Sequence, residues 1–130
     1  GHLQSHYHIK YAESQDGVNW KRDGLVAIDF QKGETNIARP SVIRDQNGNY
    51  KMWFSYVHSE IGKYRIGFAK SKDGFFWERT DDAEQTNIDC SQAKEMICYP
   101  FVFFFKNNMY ILYNGDNYGQ KGFGIALWRE

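Results

Sequence analysis

The apolar residues of this chain fall in short bursts divided by polar turns, and the bursts recur. "ARPSVIRDQNGNYKMWFSY" (Ala38–Tyr56) reads as a strand, a short polar turn and a second strand. "CYPFVFFFKNNMYILYNGD" (Cys98–Asp116) reads the same way, with Pro40 and Pro100 60 positions apart. Asn47-Gly48 and Asn107-Asn108 supply the turns, because these residues tolerate the positive φ of a tight hairpin. A second kind of segment alternates with the first: "YAESQDGVNWKR" (Tyr11–Arg22) and "FAKSKDGFFWER" (Phe68–Arg79). They match at Ser14/Ser71, Asp16/Asp73, Gly17/Gly74, Trp20/Trp77 and Arg22/Arg79, each pair 57 positions apart. A third, truncated copy begins at "FGIALW", where Ala126 lies 57 beyond Ala69.

Strands are expected over Tyr7–Ser14, Leu25–Ile28, Arg39–Arg44, Tyr50–Val57, Tyr64–Ser71, Phe76–Arg79 and Phe123–Arg129, with a hairpin across Tyr99–Tyr113. Period-two alternation is weak in "YKMWF" (Tyr50–Phe54), as befits a strand covered on both faces. A period of this size signals a repeat architecture, and four antiparallel strands per unit is the make-up of a β-propeller blade. About ten strands at four per blade give about two and a half blades. Half-blades leave unpaired edges and half-covered aromatic faces, which invite another chain. The expectation is therefore all-β: half of a five-bladed propeller over a single domain, residues 1–130. A homodimer closes the ring, the first strands of one chain completing the blade left open by the end of the other.

Composition agrees. Aromatics reach 18%, with 12 Gly and only 2 Pro, which suits strands and tight turns. The formal net charge is zero and the charges are interspersed, so no field favours nucleic acid or an anionic membrane as a partner. The longest apolar run, "FVFFF" (Phe101–Phe105), is too short to span a bilayer. Gly1-His2 reads as a tag remnant, and with no secretory leader in view a cytoplasmic location is expected. Cys90 and Cys98 make no disulfide framework; two thiols are the default and a bridge between them is the alternative. His6 and His8 would share one face of a strand, but no third ligand accompanies them, and neither a metal nor another cofactor is expected.

The duplicated Asp-Gly segment looks like chemistry, but repetition argues for a structural role. One active site needs one acid, not one per repeat. Asp-Gly after a strand is a hairpin signal, the Asp can bond its own turn, Ser14 and Ser71 can bond the same backbone, and Trp20 and Trp77 can pack beneath. The pattern resembles the Asp-box of sialidase propellers, one residue shorter.

Three quoted stretches together, "ARPSVIRDQNGNYKMWFSY", "YRIGFAKSKDGFFWER" and "EMICYPFVFFFKNNMYILYNGDNYGQKGFGIAL", resemble the five-bladed propellers of the glycoside hydrolase family 43, 32 and 68 superfamily. They are most like uncharacterised glycosidase-like proteins that often accompany surface-polysaccharide genes. The resemblance covers nearly the whole chain and maps onto the C-terminal half of proteins over twice its length, so the chain looks like a truncated or mobile-gene-cassette product. It implies an axial saccharide cleft, with an oligosaccharide as ligand. Members of that superfamily use carboxylates on successive inner strands, and hydrolysis needs an acid and a base or nucleophile across the sugar ring. Here Arg39 and Tyr99 stand before the inner-strand prolines, and Ala38 and Cys98 two residues before them, where the resemblance would place acids. Glu95 is the remaining catalytic candidate, with Asp89 a weaker one.

The ligand-binding candidates are Arg39, Ser41, Tyr99, Asn114 and Tyr118. A guanidinium suits carboxylate or hydroxyl recognition, and tyrosine faces stack on the C–H faces of sugars. Asn114 and Tyr118 belong to the glycine-rich loop "NGDNYGQKG" (Asn114–Gly122), which lacks a Walker pattern and reads as a wide turn. Trp53 and Tyr56 lie in a strand and are expected to pack between blades. A non-enzymatic interaction module is the alternative to a glycan-related role.

Overall fold

The structure, a computed structural model, describes residues 6–81 and 93–128. Nine strands run in chain order: β1 (Ile9–Lys10), β2 (Val26–Ile28), β3 (Glu34–Arg44), β4 (Tyr50–His58), β5 (Tyr64–Ser71), β6 (Glu78–Arg79), β7 (Cys98–Phe105), β8 (Asn108–Asn114) and β9 (Phe123–Trp128). They form three antiparallel sheets whose strands pair in sequence order: β1-β2, then β3-β4-β5-β6, then β7-β8-β9. No helix among the described residues is long and apolar enough to cross a membrane.

The sheets stack face to face in chain order. Ile9 and Ile28 of the first sheet meet Ile37, Met52, Phe54 and Ala69 of the second. On its other face the second sheet offers Trp53, Ile66 and Phe68 to Val102, Ile111, Tyr113 and Trp128 of the third. Strand β4 is thus buried on both faces from Met52 to Ser55, the physical reason its sequence alternates so weakly. We call the side of each sheet that faces the next one its forward face, and the opposite side its rear face.

Equivalent residues build both interfaces. On the rear face of the second sheet Gly67 lies opposite Phe54, and a Cβ on Gly67 would sit 2.5 Å from the Phe54 ring. On the rear face of the third, Gly124 lies opposite Tyr113, and its Cβ would sit 2.3 Å from that ring. In each sheet the missing side chain lets the neighbouring aromatic lie across the strand.

A buried ionic group ties β6 to β3 across the second sheet and reaches the carbonyl that follows β2. Arg79 donates to Glu34 through both terminal nitrogens, at 2.8 and 2.7 Å, to Asp81 at 2.8 Å through Nε and to the Asp29 carbonyl at 3.1 Å. Its guanidinium lies over Phe54 and Tyr56, 5.0 and 5.6 Å from their ring centres. Asp81 also accepts the Phe68 N–H at 2.8 Å. Burial works to raise the Glu34 carboxyl, but the Arg79 hydrogen bonds, the Gln31 N–H and the Arg79 charge together outweigh it and hold the group below the usual carboxylate range.

Several expectations shift in detail. The described residues hold nine strands where about ten are expected of the whole chain. The span Tyr7–Ser14 is ladder-paired only at Ile9–Lys10, where a bulge interrupts the register; Tyr7 and Glu13 make single bridges on either side. The span Phe76–Arg79 keeps only Glu78–Arg79, because the preceding residues are held in the Asp73 turn. Strand β3 starts at Glu34 rather than Arg39. The second hairpin turns at Lys106-Asn107, one residue earlier than expected, with φ of 46° and 63°, the two-residue positive-φ loop that matches strand twist. Residue 129, at the end of the last expected strand, lies outside the described residues, as do Cys90 and Asp89. Cys98 is fully buried, and burial pushes its thiol up to about 11.

Candidate functional site

Both Asp-Gly turns close through the same bonds. In the first, Asp16 Oδ1 accepts the N–H groups of Val18 and Asn19 at 2.8 and 2.7 Å, Ser14 Oγ accepts the Gly17 N–H at 2.8 Å, and the Trp20 indole donates to the Gly17 carbonyl at 3.2 Å. In the second, Asp73 accepts from Phe75 and Phe76 at 2.8 and 3.0 Å, Ser71 accepts from Gly74 at 2.9 Å, and Trp77 donates to Gly74 at 3.0 Å. Backbone donors, Asn19 foremost in one copy and Phe76 in the other, hold both carboxylates below the usual range. The bonds of both Asp and both Ser side chains stay within the turn, which gives these residues a structural role.

The site lies where two other repeat positions converge. Arg39 and Tyr99 each precede a proline and each adopts left-handed backbone, with φ of 56° and 57°. Left-handed geometry costs a non-glycine residue about 1–2 kcal/mol, and a following proline already disfavours helical backbone. At both places the strand register bulges, between Ala38 and Ser41 in β3 and between Cys98 and Phe101 in β7. A bulge re-aims the side chain at that point. The two re-aimed side chains meet: the Arg39 guanidinium stands 5.4 Å from the Tyr99 ring centre.

Two further tyrosines complete the cluster. Tyr64 lies 5.7 Å from Tyr99 and 6.1 Å from Tyr118, and Tyr99 lies 6.2 Å from Tyr118, centre to centre. Tyr118 reaches this position because Asn117 and Tyr118 are both left-handed, φ 53° and 58°, within the single helical turn Asp116–Gly119. Asn114 holds that turn by donating to the Tyr118 carbonyl at 3.2 Å. Tyr99 is anchored at its backbone, its N–H donating to the buried Ser55 hydroxyl at 2.8 Å. Burial raises the Tyr64 and Tyr99 phenols above their ordinary value, so both remain neutral hydrogen-bonding groups at physiological pH.

Glu95 stands at the edge of this cluster. Its carboxylate pairs with Lys63, and its carbonyl accepts from Arg65 at 2.5 Å while the same nitrogen donates to the Tyr64 carbonyl at 3.0 Å. The Glu95 side chain is 65% exposed. Asp116 is already engaged: it accepts the N–H groups of Met96, Glu95 and Lys94 at 2.7, 2.8 and 3.1 Å, bonds that hold it below the usual range, Met96 contributing most.

The structure thus brings Arg39, Tyr99, Tyr118 and Asn114 together, with Glu95 beside them. Ser41 points elsewhere: its hydroxyl accepts the Val102 N–H at 2.9 Å and joins β3 to β7. Trp53 and Tyr56 are packing residues, as their place in β4 suggests. Sequence reasoning missed Tyr64, Lys63, Arg65 and Asp116. The "DNYG" of the glycine-rich loop was the one signal that Asp116 organises backbone; nothing in sequence set Tyr64 apart from other strand tyrosines. His6 and His8 lie against the Phe30 ring, and His8 is 3.7 Å from Asp29. Among the described residues no group of three His, Cys, Asp or Glu side chains is placed to hold a metal.

No protein-family model matches the chain. It is similar to two proteins of Mycobacterium tuberculosis, the uncharacterized proteins MT1551 of strain CDC 1551 and Rv1502 of strain H37Rv, being 40% identical to each over 121 residues. The match takes in 92% of this chain, which spans only 39% of the length of either relative.

Proposed function

We propose that the chain binds a saccharide at the Arg39–Tyr99–Tyr64–Tyr118 cluster and does not cleave it. The observation that carries this reading is the convergence of Arg39 with Tyr99, Tyr64 and Tyr118 at one place. Left-handed backbone at Arg39 and Tyr99 aims both side chains there, and strain of this kind clusters at functional sites. Three tyrosines with rings about 6 Å apart offer faces for the C–H side of a sugar and hydroxyls for its rim. Arg39 adds a donor fork suited to an acidic sugar. Hydrolysis needs two carboxylates flanking the bond, and Glu95 in its ion pair with Lys63 stands beside no second free one among the described residues.

We read the three stacked sheets as successive propeller-type blades, with a second copy of the chain as the partner that covers the open end of the stack. Support comes from the repeated interface chemistry of Gly67 with Phe54 and Gly124 with Tyr113. A symmetric pair contributes sheets in equal numbers, so two copies of this three-sheet chain bring six sheets rather than five whole blades. Adding the two strands of a partner's first sheet to β9 would make five strands, one more than a blade holds. The partner's place must therefore be argued from surfaces.

The test is a panel of neutral and acidic oligosaccharides, read by thermal shift and titration calorimetry, beside nitrophenyl glycosides for turnover. Binding by the native chain, its loss in Tyr99→Ala, and no turnover are expected. The second reading, a non-enzymatic interaction module, is favoured by the bare forward face of the third sheet; it stands if no sugar binds.

A further inference from the structure

The forward face of the second sheet carries Ser41, Trp53 and Phe68 as cross-strand neighbours, and the third sheet covers it. The matching row of the third sheet is Phe101, Leu112 and Ile125, with Phe103 and Phe123 on the same face. No described residue covers that row. Phe101 is 60% exposed, Phe123 73% and Ile125 59%. Phe101 and Phe103 stack at 6.0 Å, an ordered apolar ladder rather than scattered side chains.

We propose that this face docks against the same face of a second copy of the chain, third sheet to third sheet about a two-fold axis. The inference deepens the dimer proposed above by naming its surface, and it is independent of sugar binding. Three observations select this occupant. The repeat shows that the equivalent face of the second sheet is covered by another sheet, so the partner is sheet-shaped. The row itself bears no formal charge, Lys106 lying at its hairpin end over the Phe105 ring, whereas exposed Lys10 stands next to buried Ile9 on the first sheet; a head-to-tail partner would set that charge against phenylalanines. The exposed apolar surface is on the order of 500 Å² per copy, so self-packing buries about 1,000 Å², what a specific interface needs. An isologous contact also closes on itself and stops at two.

Sedimentation velocity on the whole chain, from 1 to about 200 µM, tests this. The native chain is expected to be a dimer at tens of micromolar. Ile125→Lys should weaken self-association at least tenfold with unchanged far-ultraviolet circular dichroism, and Lys10→Glu should leave it unaltered. Phe123→Lys, at the rim of the face, serves if Ile125→Lys fails to fold. A native chain that stays monomeric throughout overturns the proposal, including the case in which residues 82–92 or another segment cover the face. So does an Ile125→Lys or Phe123→Lys variant that dimerises as well as the native chain. Sugar binding measured on the monomeric variant separates the two readings: it is expected to persist, and its absence there and in the native chain would count against the saccharide site alone.

Discussion

At the scale of single residues the carboxylates divide by what they accept from. Asp16, Asp73 and Asp116 each accept two or more backbone N–H groups and are held below the ordinary range. A depressed folded-state value stabilises the fold above the unfolded value, about 3.9, and that stability is lost as pH falls through the folded value. Melting temperature should therefore decline below about pH 4. Asp73→Asn should melt several degrees lower than the native chain at pH 7, with the gap closing toward pH 2; calorimetric scans across pH read both. Arg39 invites the opposite experiment. Arg39→Gly relieves left-handed strain of about 1 kcal/mol, so the variant should be at least as stable as the native chain in urea while losing sugar affinity. The role of the Asp-Gly turns was legible because a duplicated acid is a poor catalyst and a good turn. The left-handed state of Arg39 and Tyr99 was not legible, since a residue before proline ordinarily reads as extended; the bulges that force it depend on partner strands.

At the scale of elements, the hairpins and the long strands followed from turn residues and apolar bursts. The short strands did not. Strands β1, β2 and β6 run two or three residues each, and their pairing is decided by neighbouring turns rather than by their own sequence. The rear-face glycines were invisible as packing devices because their partners, Phe54 and Tyr113, sit on the adjacent strand. Gly124→Ala should push the Tyr113 ring out of its place and destabilise the chain by about 1–3 kcal/mol, the usual cost of overpacking, measured by urea unfolding. Gly67→Ala should behave alike, since its Cβ would meet Phe54 at 2.5 Å.

At the scale of the whole molecule, order in the sequence becomes order in space: each sheet packs on the one before it. The ionic group that spans the second sheet leaves buried charge behind if broken. Arg79, Glu34 and Asp81 have side chains only 9%, 3% and 13% exposed. Arg79→Met leaves two buried carboxylates without their cation and should cost about 3–5 kcal/mol, seen as a lower urea midpoint. Sequence matched Arg79 to Arg22 but could not foresee this network, because Glu34 lies 45 positions away and meets it only through the fold. The second interface carries its own optical gauge. Trp53 and Trp128 face each other across it with ring centres 5.1 Å apart and planes at 85°. Two indoles so close and so steeply inclined couple their excited states, so the chain should show a split circular-dichroism band near the indole absorption. That couplet would vanish when the second and third sheets part, giving a spectroscopic clock for their separation that hydrodynamic measurements cannot provide.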